Sequence, residues 1–255
     1  MINQKHIKST FALLFVCFAI FCNSACACAP DEYPVRSHFR KGYYKKNGTY
    51  YSETTVVSSC KKKRPNHDFA YERFKTLQPP GWPHRGESLS SWTERQKEDV
   101  LDAFATLPLY LMKGTVRGIY RLKRSKYPNN PGASLLESGA IVLYDDAFGP
   151  KLPRIVAHEL AHFLYSGLSL EDKDSYEKAT GWKYNYNIKD HKVYLEHRDI
   201  GFVSENAKNN PEEDFCVNVE FYLFDNAQLK KTTPTAFSWI EKQFGQNTNQ
   251  QRDKK

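Results

Sequence analysis

The sequence predicts an α+β fold: a small mixed sheet packed on two helices, the first carrying paired histidines and the second a run of acids. Three stretches carry that prediction. "GAIVLYDDAFG" (139–149) is an apolar, β-branched run bounded by glycines, and reads as the best strand of the chain. "KLPRIVAHELAHFLYSG" (151–167) has Pro153 at its start, Gly167 at its end and apolar residues on more than one face, as a buried helix would. "PEEDFCVNVEFYLFDN" (211–226) follows Asn210 and opens on Pro211, which marks the start of a second helix.

The elements before these follow in order. Residues 1–27 read as an export signal. Lys5 and Lys8 form a basic start, "TFALLFVCFAIFC" an apolar stretch, and Ala25-Cys26-Ala27 a small-residue cleavage site. The apolar stretch is too short to span a bilayer comfortably, so an integral membrane protein is not expected. The expected location is outside the cytoplasm, secreted or periplasmic. A lipid-anchored envelope form would use Cys28 or Cys26, but neither has a Leu-like residue three positions earlier. Export means an oxidising space, and removal of 1–27 leaves Cys28, Cys60 and Cys216. Cys28–Cys60 is the expected disulfide, because Cys216 falls within the second buried helix.

Residues 28–85 read as a basic N-terminal extension, rich in Tyr, Lys, Pro and Gly, with a short hairpin around "NGTYYSETTVV". A single folded domain then covers 86–246, and the polar tail 247–255 reads as disordered. Within the domain, "SWTERQKEDVLDAFATLP" places Ser91 and Glu94 at capping-box spacing, with Val100, Leu101, Phe104 and Leu107 as its apolar stripe. "GTVRGIYRLKRS" alternates as a strand, and "TPTAFSWIEKQFG" is the last helix. The formal net charge of +8 is spread along 255 residues. No nucleic-acid-binding motif accompanies it, so a nucleic-acid partner is not expected.

The chemistry lies in "HELAH". Residues four apart share a helix face, so His158 and His162 can aim ring nitrogens at one ion. Glu159 is offset by about 100° and points beside that ion, where a water on zinc would stand. Burying two histidines and a glutamate without a partner is costly, and a metal supplies the partner. A catalytic zinc takes three protein ligands and leaves a position for water. Glu159 would then be the general base, and afterwards the acid, of a peptide hydrolysis. No third histidine follows at short spacing. His191 and His197 lie in a polar stretch, which leaves a glutamate of the second helix. Glu213 and Glu220 are seven apart and share a face; periodicity does not choose between them.

HExxH followed about fifty residues later by a helix opening "NPEEDF" resembles the gluzincin zinc peptidases, the catalytic domain of anthrax lethal factor among them. The resemblance covers about residues 90–245. It implies a zincin-like fold, Zn2+ held by His158, His162 and Glu213, Glu159 as catalytic residue, and a polypeptide substrate laid along an edge strand near Ile141 to Tyr144. Two departures stand out. The family's tyrosine seven residues before its ligand glutamate is Asn206 here, and the second acid of its glutamate helix gives way to Cys216 and Val217. The reading is therefore an exported zinc metalloendopeptidase. Its alternative is a catalytically weakened zinc-binding relative that acts through protein contacts.

Overall fold

The computed structural model describes residues 28–35, 38–40, 43–44, 50–51, 54–56, 59–78, 89–127, 129–187, 192–196 and 201–245. The leader, the tail, His191 and His197 lie outside them. The chain divides into two compact units, Met1–Lys63 and Arg64–Lys255.

In the first unit, segments rich in tyrosine and β-branched residues pair as antiparallel strands. Strand β1 (Glu32–Val35) pairs with β6 (Ser59–Lys62), β2 (His38–Arg40) with β5 (Thr54–Val56), and β3 (Tyr43–Tyr44) with β4 (Tyr50–Tyr51). Glu32 faces Lys62, His38 faces Val56 and Tyr43 faces Tyr51, so each step along one strand is matched on the other. The three pairs keep one common register, and the pairing reaches further from the turn than the hairpin expected from the sequence. The Cys28–Cys60 disulfide closes its base, as expected.

The second unit begins with a short helix α1 (His67–Tyr71), followed by α2 (Glu94–Ala105). The capping box of α2 lies two residues later than Ser91 and Glu94. Thr93 accepts a hydrogen bond from the Gln96 amide, and the Gln96 side chain accepts one from the Thr93 amide. Glu94 is instead the first helical residue and pairs with Lys97 at 3.1 Å. Val100, Leu101, Phe104 and Leu107 are buried, as their spacing predicts.

Three strands form the sheet: β7 (Gly118–Leu122), β8 (Gly132–Leu135) and β9 (Ala140–Tyr144), in the order β7-β9-β8. Strand β9 runs parallel to β7 and antiparallel to β8. The expected edge strand at Ile141 to Tyr144 is thus the central one. All five of its residues are buried, and an unbroken apolar run is the signature of a strand covered on both faces. The edge strand is "GASL", too short and too small in side chain to announce itself. Tyr120, Leu122, Ala140, Val142 and Tyr144 pack together with Ala133 and Leu135 on one face. By alternation, Gly132 and Ser134 turn to the other face, against α3 (Leu152–Ser166).

The remaining elements are α4 (Leu170–Thr180), the hairpin β10 (Lys183–Asn187) with β11 (Lys192–Glu196), and three helices. These are α5 (Pro211–Phe224), α6 (Asn226–Thr232) and α7 (Pro234–Ile240), the last continuing into a wider turn, Glu241–Gly245. The sequence reading passes over α4 and α6. Helix α4 is mostly polar and buries only Tyr176 and Thr180, so its start shows only in Ser169, which caps the Asp172 amide at 3.0 Å. Among the described residues no helix is long and apolar enough to cross a membrane.

The helices close over an aromatic core. Phe215 of α5 lies 5.2 Å, centroid to centroid, from both Tyr165 and Tyr176, and Tyr176 lies 5.2 Å from Trp239. One buried charge stands inside this core. Asp214 has no exposed surface and accepts hydrogen bonds from Tyr176 Oη (3.2 Å), Trp182 Nε1 (3.1 Å) and Asn218 Nδ2 (2.9 Å). A buried carboxylate persists only when donors surround it, and these three come from α4, the segment after it and α5 itself. Asp214→Ala strands those three donors. The expected loss is about 3 kcal/mol of unfolding free energy, with Tm down by roughly 6–12 °C. Urea titration and calorimetry check this, and a loss under about 1 kcal/mol would show the network to be slack.

Candidate metal centre

Two helix starts aim the site. Pro211 occupies the first turn of α5, and the Asn210 side chain accepts the Glu213 amide at 2.8 Å. The cap therefore fixes the backbone of Glu213 itself. Glu212, Glu213 and Asp214 crowd the same turn, where the positive end of the helix dipole favours carboxylates. Helix α3 packs extensively on α5 and presents His158 and His162 toward it.

The three residues converge. One donor atom each of His158, His162 and Glu213 can be chosen so that all lie within 4.8 Å of one another. Glu213 Oε2 is 3.4 Å from His158 Nε2, and Glu213 Oε1 is 3.7 Å from His162 Nε2. Glu213 Oε2 is buried and makes no hydrogen bond. A buried carboxylate oxygen without a hydrogen bond, faced by two imidazole Nε2 atoms, is answered by a proton on His158 or by a cation in its place, so the donor set fits a metal ion. Of the candidates left open by periodicity, Glu213 is thus the one that joins the histidines.

Glu220 takes a different place. Its Oε2 lies 3.6 Å from His158 Nδ1, and its Oε1 accepts from Arg154 Nε at 2.8 Å. Glu212 does the same for the other ring, with Oε1 2.8 Å from His162 Nδ1. His162 thus has its Nδ1 within hydrogen-bond distance of a carboxylate, His158 has its Nδ1 beside one at 3.6 Å, and both rings turn Nε2 toward Glu213. Carboxylates on the outer nitrogens orient the rings and, in neutral imidazoles, favour the tautomer that leaves Nε2 free as a ligand. Val217, one turn after Glu213, is apolar and buried, and the carboxylate beside His158 Nδ1 comes from Glu220, one turn further on. Sequence reasoning missed both roles. The signal for Glu220 was its shared face with Glu213. Glu212 gave no signal, since it read only as an exposed helix start.

Charges follow this geometry. Burial alone would push the His158 imidazole down, but the Glu213 and Glu220 carboxylates outweigh it and hold the metal-free group up, to about 10. Burial pushes Glu213 and Glu220 up, but the His158 imidazole beside both pulls them below the usual carboxylate range, helped by His162 for Glu213 and Arg154 for Glu220. Burial, and then the nearby Glu213 and Glu212 carboxylates, push the Cys216 thiol well above its ordinary value. Cys216 is therefore a core residue and not a nucleophile.

Glu159 stands beside the donor set, on the sheet side. Ser134 Oγ lies 2.7 Å from both Glu159 Oε2 and its backbone carbonyl, and shares its proton between them. A side chain at Gly132 would place its Cβ 2.7 Å from Glu159 Oε1. Glycine here leaves room for the carboxylate between edge strand and helix. All of these groups line a cleft of about 950 Å³, walled by residues 129–134 of the edge strand, the pocket face of α3, Asn206, Glu220 and Phe221. Asn206 is exposed on a 3-10 turn, Asn206–Lys208, and no tyrosine lines the cleft among the described residues. Tyr184, Tyr186 and Tyr194 fall on the β10–β11 hairpin.

No family model, no curated protein and no solved structure matches this chain.

Removing either outer carboxylate loosens a ring without touching a ligand. Glu220→Ala and Glu212→Ala are each expected to weaken metal affinity by about 10–100-fold, measured by competition with a chromophoric chelator. Asp174→Ala, an exposed partner of Lys178, serves as the unaffected control. Metal must also displace the proton that the carboxylates keep on His158. Below a pKa of about 10, apparent affinity should climb with pH, by about tenfold per unit for one proton released. A flat profile between about pH 6 and 8 would show that no proton leaves His158 when metal binds.

Proposed function

We propose that the chain is an exported, zinc-dependent metalloendopeptidase with a zincin-like domain. The observation that carries the reading is the convergence of His158, His162 and Glu213 with the Glu159 carboxylate beside them, in a cleft open along a sheet edge. Two neutral imidazoles and one carboxylate suit Zn2+, and leave a position for solvent or substrate. When bound, zinc acidifies water toward neutral pH and polarises the scissile carbonyl.

The chain's own groups do the rest. Glu159 accepts the proton of the attacking water and passes it to the leaving amine. Ser134 and the space at Gly132 hold that carboxylate in line with the cleft. Glu220 and Glu212 keep both imidazoles in the tautomer that presents Nε2. The Tyr144 amide bonds the Pro131 carbonyl, and Ala133 pairs with Val142. By the alternation of an antiparallel ladder, the backbone groups of Gly132 and Ser134 point away from β9, where an extended peptide can add as a further strand. The Cys28–Cys60 disulfide supports export, since such bonds persist in oxidising compartments.

Asn206 supports a second reading, a zinc-binding relative with weakened catalysis. An exposed amide on the cleft wall offers the oxyanion a weaker donor than a phenol would.

Elemental analysis of the mature protein should find about one zinc per chain, and much less in Glu213→Ala. With zinc retained, Glu159→Gln should lose nearly all cleavage of an unfolded protein substrate. Wild-type protein that carries no zinc in chelator-free buffer would sink both readings. Full zinc with cleavage that appears only in Asn206→Tyr would favour the second.

A further inference from the structure

The pocket face of α3 continues past the histidines toward the helix start. Lys151, Arg154 and Ile155 precede His158 by seven, four and three residues, and all four line the cleft. At 1.5 Å per residue, Arg154 lies about 6 Å and Lys151 about 10 Å from His158 along the axis. Lys151 is exposed, and its ammonium has no ion-pair or hydrogen-bond partner among the described residues. Arg154 spends only Nε on Glu220 and lies 4.8 Å over the Phe221 ring, which leaves its two terminal nitrogens for the cleft. The cleft's carboxylates are otherwise occupied: Glu213 by the metal set, Glu159 by Ser134, and Glu220 by His158 and Arg154. This end of the groove therefore carries two cations, of which Arg154 is answered by Glu220 and Lys151 by no carboxylate among the described residues.

The polarity of the groove follows from the sheet. Strand β9 ends at Tyr144, opposite Pro131, and the chain then turns through Asp145–Ala147 into α3. Residues 129–131 and the start of α3 thus share one end of the cleft. A peptide added to β8 in the more stable antiparallel sense runs toward that end. At about 3.3 Å per residue, the cations stand opposite the first few residues after the scissile bond.

We propose that the cleft selects peptides bearing a carboxylate within about three residues after the cleaved bond, held by Lys151 and Arg154. The carboxylate is either an Asp or Glu side chain or the free C-terminus. This rests on the peptidase reading above.

The test is a digest of random synthetic peptides, in free-acid and C-terminally amidated sets, with cleavage sites read by mass spectrometry. Zinc-loaded wild type, Lys151→Ala, Lys151→Glu and Glu159→Gln are compared. Asp and Glu should be enriched after the cut, and the acid-over-neutral ratio should fall about threefold in Lys151→Ala, the scale of an exposed ion pair. In Lys151→Glu the preference should turn toward Lys and Arg, and added salt should flatten it in wild type. Cuts confined to near the end of free-acid peptides, and lost on amidation, would identify the terminus as the carboxylate. Enrichment of internal acids would identify side chains. Both outcomes support the proposal. Cleavage without acid enrichment after the bond, or enrichment unchanged in Lys151→Glu, overturns the specificity and leaves the peptidase standing. Zinc-loaded, folded wild type that cleaves no more than Glu159→Gln overturns both.

Discussion

Glu213 Oε2 is buried, ionised and without a hydrogen bond, 3.4 Å from a histidine nitrogen. Much of the second unit follows from holding that atom there. A buried carboxylate oxygen is costly unless a proton on His158 or a metal ion answers it, so the surrounding structure must over-determine its position. The Asn210 cap sets its backbone, the dipole of α5 favours its charge, and the packing of α5 on α3 sets its distance from the histidines. A site built on two rigid helices can hold ligand geometry more tightly than one built on loops.

The Asp214 network acts on the same helix from behind. Glu213 faces the cleft, and the next residue turns its carboxylate into the core, bonded to Tyr176, Trp182 and Asn218. Adjacent residues on a helix diverge by about 100°, so one turn of α5 serves two environments. Rotation of α5 would break the buried network and the ligand set together. The polar helix α4, whose few buried groups include Tyr176, thereby has a role in aligning a cleft that it does not line.

The sequence carried the chemistry better than the architecture. His158, His162 and Glu159 were legible because helical spacing converts directly into a shared face. Glu213 was legible only through a resemblance, since its face also carries Glu220. The sheet was misread in one respect: the strongest strand signal belongs to the most buried strand, and the edge strand that faces the cleft is four small residues. Its meaning lies in what Gly132 and Ser134 leave or give to Glu159, which sits more than twenty residues away in the chain. The capping box showed the same limit. Ser91 and Thr93 are both good caps, and a two-residue difference is settled only by where the packed helix starts.

Glu220 and Arg154 tie the His158 ring to the cleft wall. An acid one turn after Glu213 could reach the His158 ring from close by. Glu220 is two turns on, and it reaches the ring with Arg154 gripping its other oxygen. A carboxylate shared between an imidazole and a guanidinium is held from two sides, which compensates for its distance from the ligand. The guanidinium is stacked on Phe221 and cannot swing away freely. Its remaining nitrogens are thus fixed at the cleft wall. A negatively charged group that docks on them competes with none of the metal ligands, yet it shares Arg154 with Glu220. On the proposed peptidase reading, substrate charge and the orientation of His158 would be coupled through one side chain.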